Sequence, residues 1–342
     1  MYCESMIRLG FLTHVNGHGD AESTYRQTLE LFVAADELGF DVGWVAQHHF
    51  DNNAGGLSAP WPFLAAAAAL TSRIRLSTAI TILPLEDPLG LAEQLAVVDT
   101  ISGGRVEIGV GSGYDPAAYA AFGVDMDRRR ELTSEHLLRL REALAGKPLT
   151  DSGTVLRPAV RDFTGRIWQG IFSADGAAHV ARAGSNLLLN RATYGYDEPT
   201  DVVQLPWARG YLDAWAHEHT PRIGLSRLIF PAADRSRALA QLRDGALAAA
   251  ADFVRQGRFP AGLSVEGYLD RLHAFYGHPD EVTAALQRER VLPLATDLLC
   301  QFNPGVPGHD AALRALELIA TEVAPALGWQ RADTRTRSAT LT

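Results

Sequence analysis

Cysteine is nearly missing: Cys3 and Cys300 are the only two in 342 residues. That excludes a disulfide-stapled secreted scaffold. One bridge is arithmetically possible, yet two thiols in a chain of this length fit a reducing cytoplasm better. Long apolar runs are missing too. The longest, Phe63–Leu70, falls far short of the roughly 20 residues that a membrane span needs. Residues 1–6 carry no basic region leading into an apolar stretch, so no secretory signal is expected. Positive charge is in deficit, with 31 Lys and Arg against 40 Asp and Glu and a formal net charge of −9. The attraction that drives most nucleic-acid binding is therefore absent. The longest basic run, Arg128–Arg130, sits among acidic residues. Neither a nucleic acid nor a membrane is an expected partner, and the expected location is the cytoplasm. Internal repeats, low-complexity tracts and interdomain linkers are also missing.

What remains is ordinary globular composition, 47% apolar and 21% charged. Short apolar runs alternate with amphipathic stretches. Eight runs read as strands: Ile7–Thr13, Val42–Ala46, Arg75–Leu83, Val106–Val110, Ile167–Phe172, Leu187–Asn190, Arg222–Phe230 and Thr296–Phe302. Between them Tyr25–Leu38, Trp61–Ser72, Leu89–Ile101, Glu131–Leu144 and Arg235–Gln256 repeat at helical spacing. Gly39 and Gly103-Gly104 suit left-handed helix ends, and Asp87-Pro88 suits a capped helix start. Strand–helix alternation predicts a parallel sheet, and eight such units fit a closed (β/α)8 TIM barrel in one domain over residues 1–342 better than an open doubly wound sheet. Two intervals, about 112–166 and 257–278, are too long for simple connections. They are expected to cover the C-terminal mouth, where barrels carry their chemistry.

Reading the strand ends in turn locates the candidate chemistry. The fourth strand ends in Gly109-Val110-Gly111-Ser112-Gly113-Tyr114. The third Rossmann glycine and a Walker lysine are both lacking, so the plain reading is a tight turn. The functional reading is backbone made bare so that a planar ring can approach. The fifth strand ends in Phe172-Ser173-Ala174-Asp175-Gly176 before a helix starting near Ala177. Such a start can be an ordinary N-cap or can hold a phosphate, and Asp175 counts against the phosphate unless it faces away. His48-His49 follows the second strand, and alternation lets only one of the two face the mouth. With His14 and His18 the pair also raises a metal site, but no carboxylate stands at a fitting strand end, and no metal is expected.

Taken together these stretches resemble the bacterial-luciferase-like, flavin-dependent monooxygenase family. The resemblance rests on Leu38-Gly39-Phe40-Asp41 with Trp44–Phe50, and on Leu83-Pro84, Asp87-Pro88, Ala92-Glu93-Gln94, Val98-Asp99 and Ser102–Tyr114. Weaker support comes from Gly277–Val282 and Glu322–Pro325. It implies a TIM barrel with a flavin across the mouth. It implies a non-proline cis peptide at Ala79-Ile80 beside the ring, with Gly111, Ser112, Gly113 and Tyr114 along the ring and ribityl chain. Phe172, Ser173 and Gly176 would lie at the phosphate, and His48 would be the catalytic base. The implied activity is that of a two-component monooxygenase, using reduced FMN from a separate flavin reductase, and O2, on a small organic substrate. An F420-dependent hydride transfer and a flavin-binding protein without catalysis are the alternatives. Relatives commonly pair as homodimers through helices near strands two and three. The chain departs from the family at Gln47, where glutamate is common. At Gly111, where luciferases proper carry a reactive cysteine, light emission is not implied. Thr164–Arg166 replaces a proline-rich run.

Overall fold

The computed structural model describes residues 7–17, 19–50 and 55–331. Cys3 and His18 lie outside the described residues. In chain order the elements are β1 (Arg8–Thr13), α1 (Ala21–Leu38), β2 (Val42–Val45), α2 (Pro60–Leu70), β3 (Arg75–Thr78), β4 (Thr81–Ile82), α3 (Pro88–Ile101), β5 (Ile108–Gly111), α4 (Pro116–Phe122), α5 (Arg129–Leu144), β6 (Ile167–Ile171), α6 (Ala174–Arg182), β7 (Asn186–Leu189) and α7 (Thr200–Asp213). They continue as β8 (Ile223–Pro231), α8 (Arg235–Arg255), α9 (Val265–Arg271), β9 (Phe275–Gly277), α10 (Pro279–Leu286), β10 (Asp297–Gln301), α11 (His309–Leu318) and α12 (Ala324–Ala326).

Neighbouring strands run parallel in the order β3-β2-β1-β10-β8-β7-β6-β5-β4, and β9 extends the sheet from β8. A bridge between Leu76 and Val106 joins the two ends, so the sheet curls into a barrel with its helices outside. The expected architecture is present. The expected third strand is not one strand. It breaks into β3 and β4 at Ala79-Ile80, whose peptide bond is cis. The first half pairs with β2 and the second with β5. The fourth strand starts at Ile108, because Val106 makes only the closing bridge.

Helix ends follow local chemistry. Asp20 caps α1 by accepting from Ser23 N, which starts that helix ahead of the expected Tyr25. Gly39 ends it at φ 95°. Asp87 accepts from Leu89 N and Gly90 N at the head of α3, with Pro88 at the first turn.

The barrel is filled in layers. At the N-terminal floor Glu107 is buried and accepts from Trp168 Nε1 at 2.7 Å and Arg75 Nε at 2.5 Å, while Arg222 binds both Glu107 and Asp297. The glutamate's own burial opposes ionisation, but Arg222, Arg8 and Arg75 outweigh it and hold the carboxyl far below its usual range. Above this floor Leu12, Val42, Trp44, Trp168, Leu188 and Leu299 form an apolar plug, with Ala79 and Ile80 packed on it. Each such side chain contributes about 1.5–3 kcal/mol by leaving water. The interior is thus closed below, and only the C-terminal ends of the strands remain for chemistry.

The two long intervals divide differently from each other. Of 112–166, α4 follows β5 at the mouth, and α5 packs along the barrel against α3. The rest runs at the floor, where Arg161 donates to Gly103 O and Arg166 pairs with Asp99. In contrast, 257–278 stays at the mouth, since its β9 pairs with the last residues of β8.

Candidate active site

Five strand ends converge at the mouth. His14 follows β1 and His48 follows β2. Their rings stack with centroids 5.1 Å apart, and His14 Nδ1 lies 3.1 Å from His48 Nε2. The backbone fixes both residues. His48 N donates to Leu57 O, Gly56 N donates to His14 O, and Tyr25 Oη holds Gly56 O at 2.7 Å. Gly55 is required there, because a Cβ on it would stand 2.5 Å from the His48 ring. His49 points the other way, buried against Phe122 at 4.9 Å. Burial lowers its pKa, against the opposing charge of Asp115.

Ile80, beyond the cis bond, lies against two strands. A Cβ on Gly111 would meet its side chain at 3.1 Å, and one on Gly170 at 3.3 Å. Bare backbone on β5 and β6 therefore gives the half-buried Ile80 side chain its seat against the wall, an apolar shelf. Gly113 turns the chain at φ 62°, and Tyr119 Oη donates to Ser112 O, which ties α4 to this turn. Ala79 and Ile80 are half-buried, Gly111 is buried, and Tyr114 and Phe172 are 58% and 62% exposed above them. Ser173 caps α6 by accepting from Gly176 N at 3.2 Å, so that helix starts at Ala174 rather than near Ala177.

The structure places His48, Ala79, Ile80, Gly111, Ser112 and Gly113 at or just beyond the C-terminal ends of β2, β3 and β5, and Ser173 and Gly176 after β6. Three contributors escaped sequence reasoning. Gly170 looks like any strand glycine. Glu86 has no motif, yet its Oε1 accepts from Gln47 Nε2 at 2.7 Å, while Gln47 Oε1 accepts from Ile82 N. A carboxylate is therefore back beside the Gln47 position, and burial raises its pKa. The third is Arg191, after β7. A 230 Å³ cavity flanks the opening between α1 and α11, touching His14 and Asn303. Among the described residues no group of three or more His, Cys, Asp and Glu could hold a metal ion, and no helix is long and apolar enough to cross a membrane.

The geometry is a parallel barrel with a glycine-lined shelf at its C-terminal mouth, the end where such barrels carry their chemistry. The family described as luciferase-like monooxygenase matches residues 7–297, and the chain belongs to it. Limonene 1,2-monooxygenase of Rhodococcus erythropolis is 27% identical over 90% of this chain and 82% of its own length. Protein y4vJ of Sinorhizobium fredii is 36% identical over 50% of this chain, which spans about half (51%) of that relative's length. Among solved structures, the monooxygenase RslO1 from Streptomyces bottropensis superposes with a TM-score of 0.77 at 26% identity, over 94% of this chain and 100% of that one. The oxygenating constituent of 3,6-diketocamphane monooxygenase from Pseudomonas putida, in complex with FMN, gives 0.74 at 17% identity over 94% and 98%. An F420-dependent secondary alcohol dehydrogenase gives 0.72 at 18% over 94% and 99%. These last two share the fold alone.

Proposed function

We propose that the chain is the oxygenating component of a two-component system, acting with reduced FMN and O2 on a small organic substrate. The observation that carries this reading is the shelf of Ile80 against Gly111 and Gly170, an apolar side chain seated on bare backbone, against which a planar ring could rest. The residues fit the group. Ala79, Ile80, Gly111, Ser112, Gly113 and Tyr114 would hold the ring and ribityl chain. Phe172, Ser173 and Gly176 would hold the phosphate at the positive start of α6. Bound there, reduced flavin supplies the electrons that activate oxygen.

The chain's own residues do the rest. His48, positioned by His14, accepts or returns the proton that moves during turnover. Tyr114 and Phe172, exposed at the rim, give an apolar entrance that excludes water once filled. The absence of a Rossmann fingerprint motivates a separate reductase as the source of reduced flavin. Exposed Leu70, Val97 and Ile101 on α2 and α3 give an apolar face suited to a homodimer. The proposed setting is the cytoplasm.

Side-by-side titration with reduced FMN and F420 tests the cofactor, and substrate-dependent oxygen uptake tests the reaction. Micromolar FMN binding with O2 consumption on addition of organic substrates is the expected result. Binding of F420 alone would replace it with hydride transfer, and FMN binding without any uptake over a broad panel would leave only a flavin carrier.

A further inference from the structure

Arg191 is a buried cation without a counter-charge. It follows β7, is 8% exposed, and reaches across β8 to the end of β10. Its Nη1 donates to Gln301 Oε1 at 3.2 Å and to Asn303 Oδ1 at 2.5 Å. Both acceptors are neutral amides. Gln301 is held in turn by donating to Ser226 Oγ at 2.5 Å, and Arg191 N is tied to Asn190 Oδ1. Among the described residues no carboxylate pairs with this guanidinium, and its Nε is buried with no hydrogen-bond partner. Compare Arg227 on β8, fully buried, which has Glu289 at 3.0 Å. A buried cation left with spare donors is costly unless something of opposite charge reaches it. The amide pair neutralises nothing; it sets the direction of the guanidinium.

The location says what could reach it. Ser226 and Gln301 lie on the inner face of the barrel, as Gly224 does, whose Cβ would meet Leu188, Trp168 and Leu299. The guanidinium therefore overlies the mouth beside His14, since β10 neighbours β1. The Ile80 shelf, on β4, β5 and β6, faces it from the other side. The start of α6, where a phosphate would sit, belongs to that shelf side, while Arg191 turns away from it.

We propose that Arg191 is the anion-receiving group of the substrate pocket, and that the substrate carries a deprotonated oxygen, a carboxylate or an enolate. The proposal rests on the mouth being the substrate site, and deepens that reading by naming the substrate's polar end. The apolar body of the substrate lies over the shelf, and its charged oxygen meets the guanidinium fork in a charge-assisted pair.

The test uses the full chain without flavin. Thermal shift is followed with acetate, hexanoate and benzoate against acetamide, hexanamide and benzamide, at constant sodium chloride. At least one carboxylate should raise Tm with concentration while its amide does not. The shift should vanish in Arg191→Met and survive in part in Arg191→Lys. Arg191→Met alone should melt within a few degrees of the parent, because loss of a buried, uncompensated charge offsets the two amide acceptors left without their donor. FMN and riboflavin affinities of that variant should stay within about twofold of the parent, well under 1 kcal/mol.

Equal shifts from acid and amide, no shift from any acid, or a shift that survives Arg191→Met would overturn the proposal. So would a melting temperature lowered by about 10 °C or more, which marks a structural role. Loss of FMN but not riboflavin affinity would reassign Arg191 to the phosphate, and loss of both to the ring. A parent protein that binds carboxylates through Arg191 but no flavin would sink the flavin reading and leave this one standing.

Discussion

His14 and His48 stand 3.1 Å apart, Nδ1 to Nε2, with their rings nearly parallel at 26°. A shared proton between them can sit on only one nitrogen, so each ring fixes the tautomer of the other. His48→Asn should lower the rate of substrate-dependent oxygen uptake by about 10²–10⁴-fold, the usual worth of a placed acid or base. FMN affinity should barely change. His14→Asn should cost less, roughly tenfold, and change the pH–rate profile, because it acts through His48. Steady-state oxygen-electrode kinetics from pH 5 to 9 would decide. Unaltered turnover in His48→Asn would remove the histidine from the chemistry.

Two glycines two residues apart on β5 should behave oppositely. A Cβ on Gly109 would stand 2.1 Å from Thr78 O, a rigid backbone atom. Gly109→Ala should destabilise the fold by about 3 kcal/mol, as an overpacked core does. At Gly111 the added Cβ meets the tip of Ile80 at 3.1 Å, and that side chain can shift. Gly111→Ala should melt close to the parent but raise the FMN dissociation constant about tenfold, or about 1.4 kcal/mol. Denaturant unfolding and flavin titration on both variants separate the two effects. If Gly111→Ala binds FMN as tightly as the parent, the shelf is not the ring's seat.

Most of the barrel could be read from alternating apolar runs and helix caps, because parallel strands buried on both faces leave continuous apolar stretches. The break at Ala79-Ile80 left no trace in that pattern: Arg75–Leu83 reads as one run, and only family resemblance pointed to the cis bond. Alternation allowed only one of the two adjacent histidines to face inward without saying which, and family resemblance chose His48; the structure has His49 on Phe122 and His48 stacked on His14. Gly170, Glu86 and Arg191 were not legible. Each acquires its part from a neighbour distant in sequence: Ile80, Gln47, and the Gln301–Asn303 pair. Spacing along the chain carries no signal for such pairs. The floor cluster of Glu107, Arg222 and Asp297 was missed for the same reason.

Ser173 has two tasks that one substitution can separate. Its hydroxyl accepts from Gly176 N at the start of α6. Ser173→Ala should therefore cost about 1 kcal/mol of stability through the lost cap. If the same hydroxyl also meets a phosphate, FMN should lose roughly tenfold in affinity while riboflavin loses nothing. Ser173→Gly, which keeps most cap stability, should show the same FMN loss. Equal weakening of FMN and riboflavin would reduce Ser173 to a helix cap.

Glu107 should govern stability in acid. It is buried on the barrel floor with Arg75 at 2.5 Å and Arg222 at 3.4 Å. Arg222 has a second partner in Asp297, but Arg75 has Glu107 as its carboxylate. Removing one member of such a network strands a buried charge, so Glu107→Gln should cost about 3–5 kcal/mol near neutral pH. The sign with pH follows from the lowered folded-state pKa. Below its folded value the carboxyl is protonated in both states and contributes nothing. Between the folded and unfolded values the unfolded chain binds the extra proton, so stability climbs with pH, reaching its full value above about 4.5. The gap between parent and Glu107→Gln should accordingly be flat from pH 6 to 8 and narrow steadily below about pH 4.5. Urea unfolding at a series of pH values measures it. A gap that stays constant into strong acid would mean that shape, rather than the carboxylate's charge, is what the floor requires.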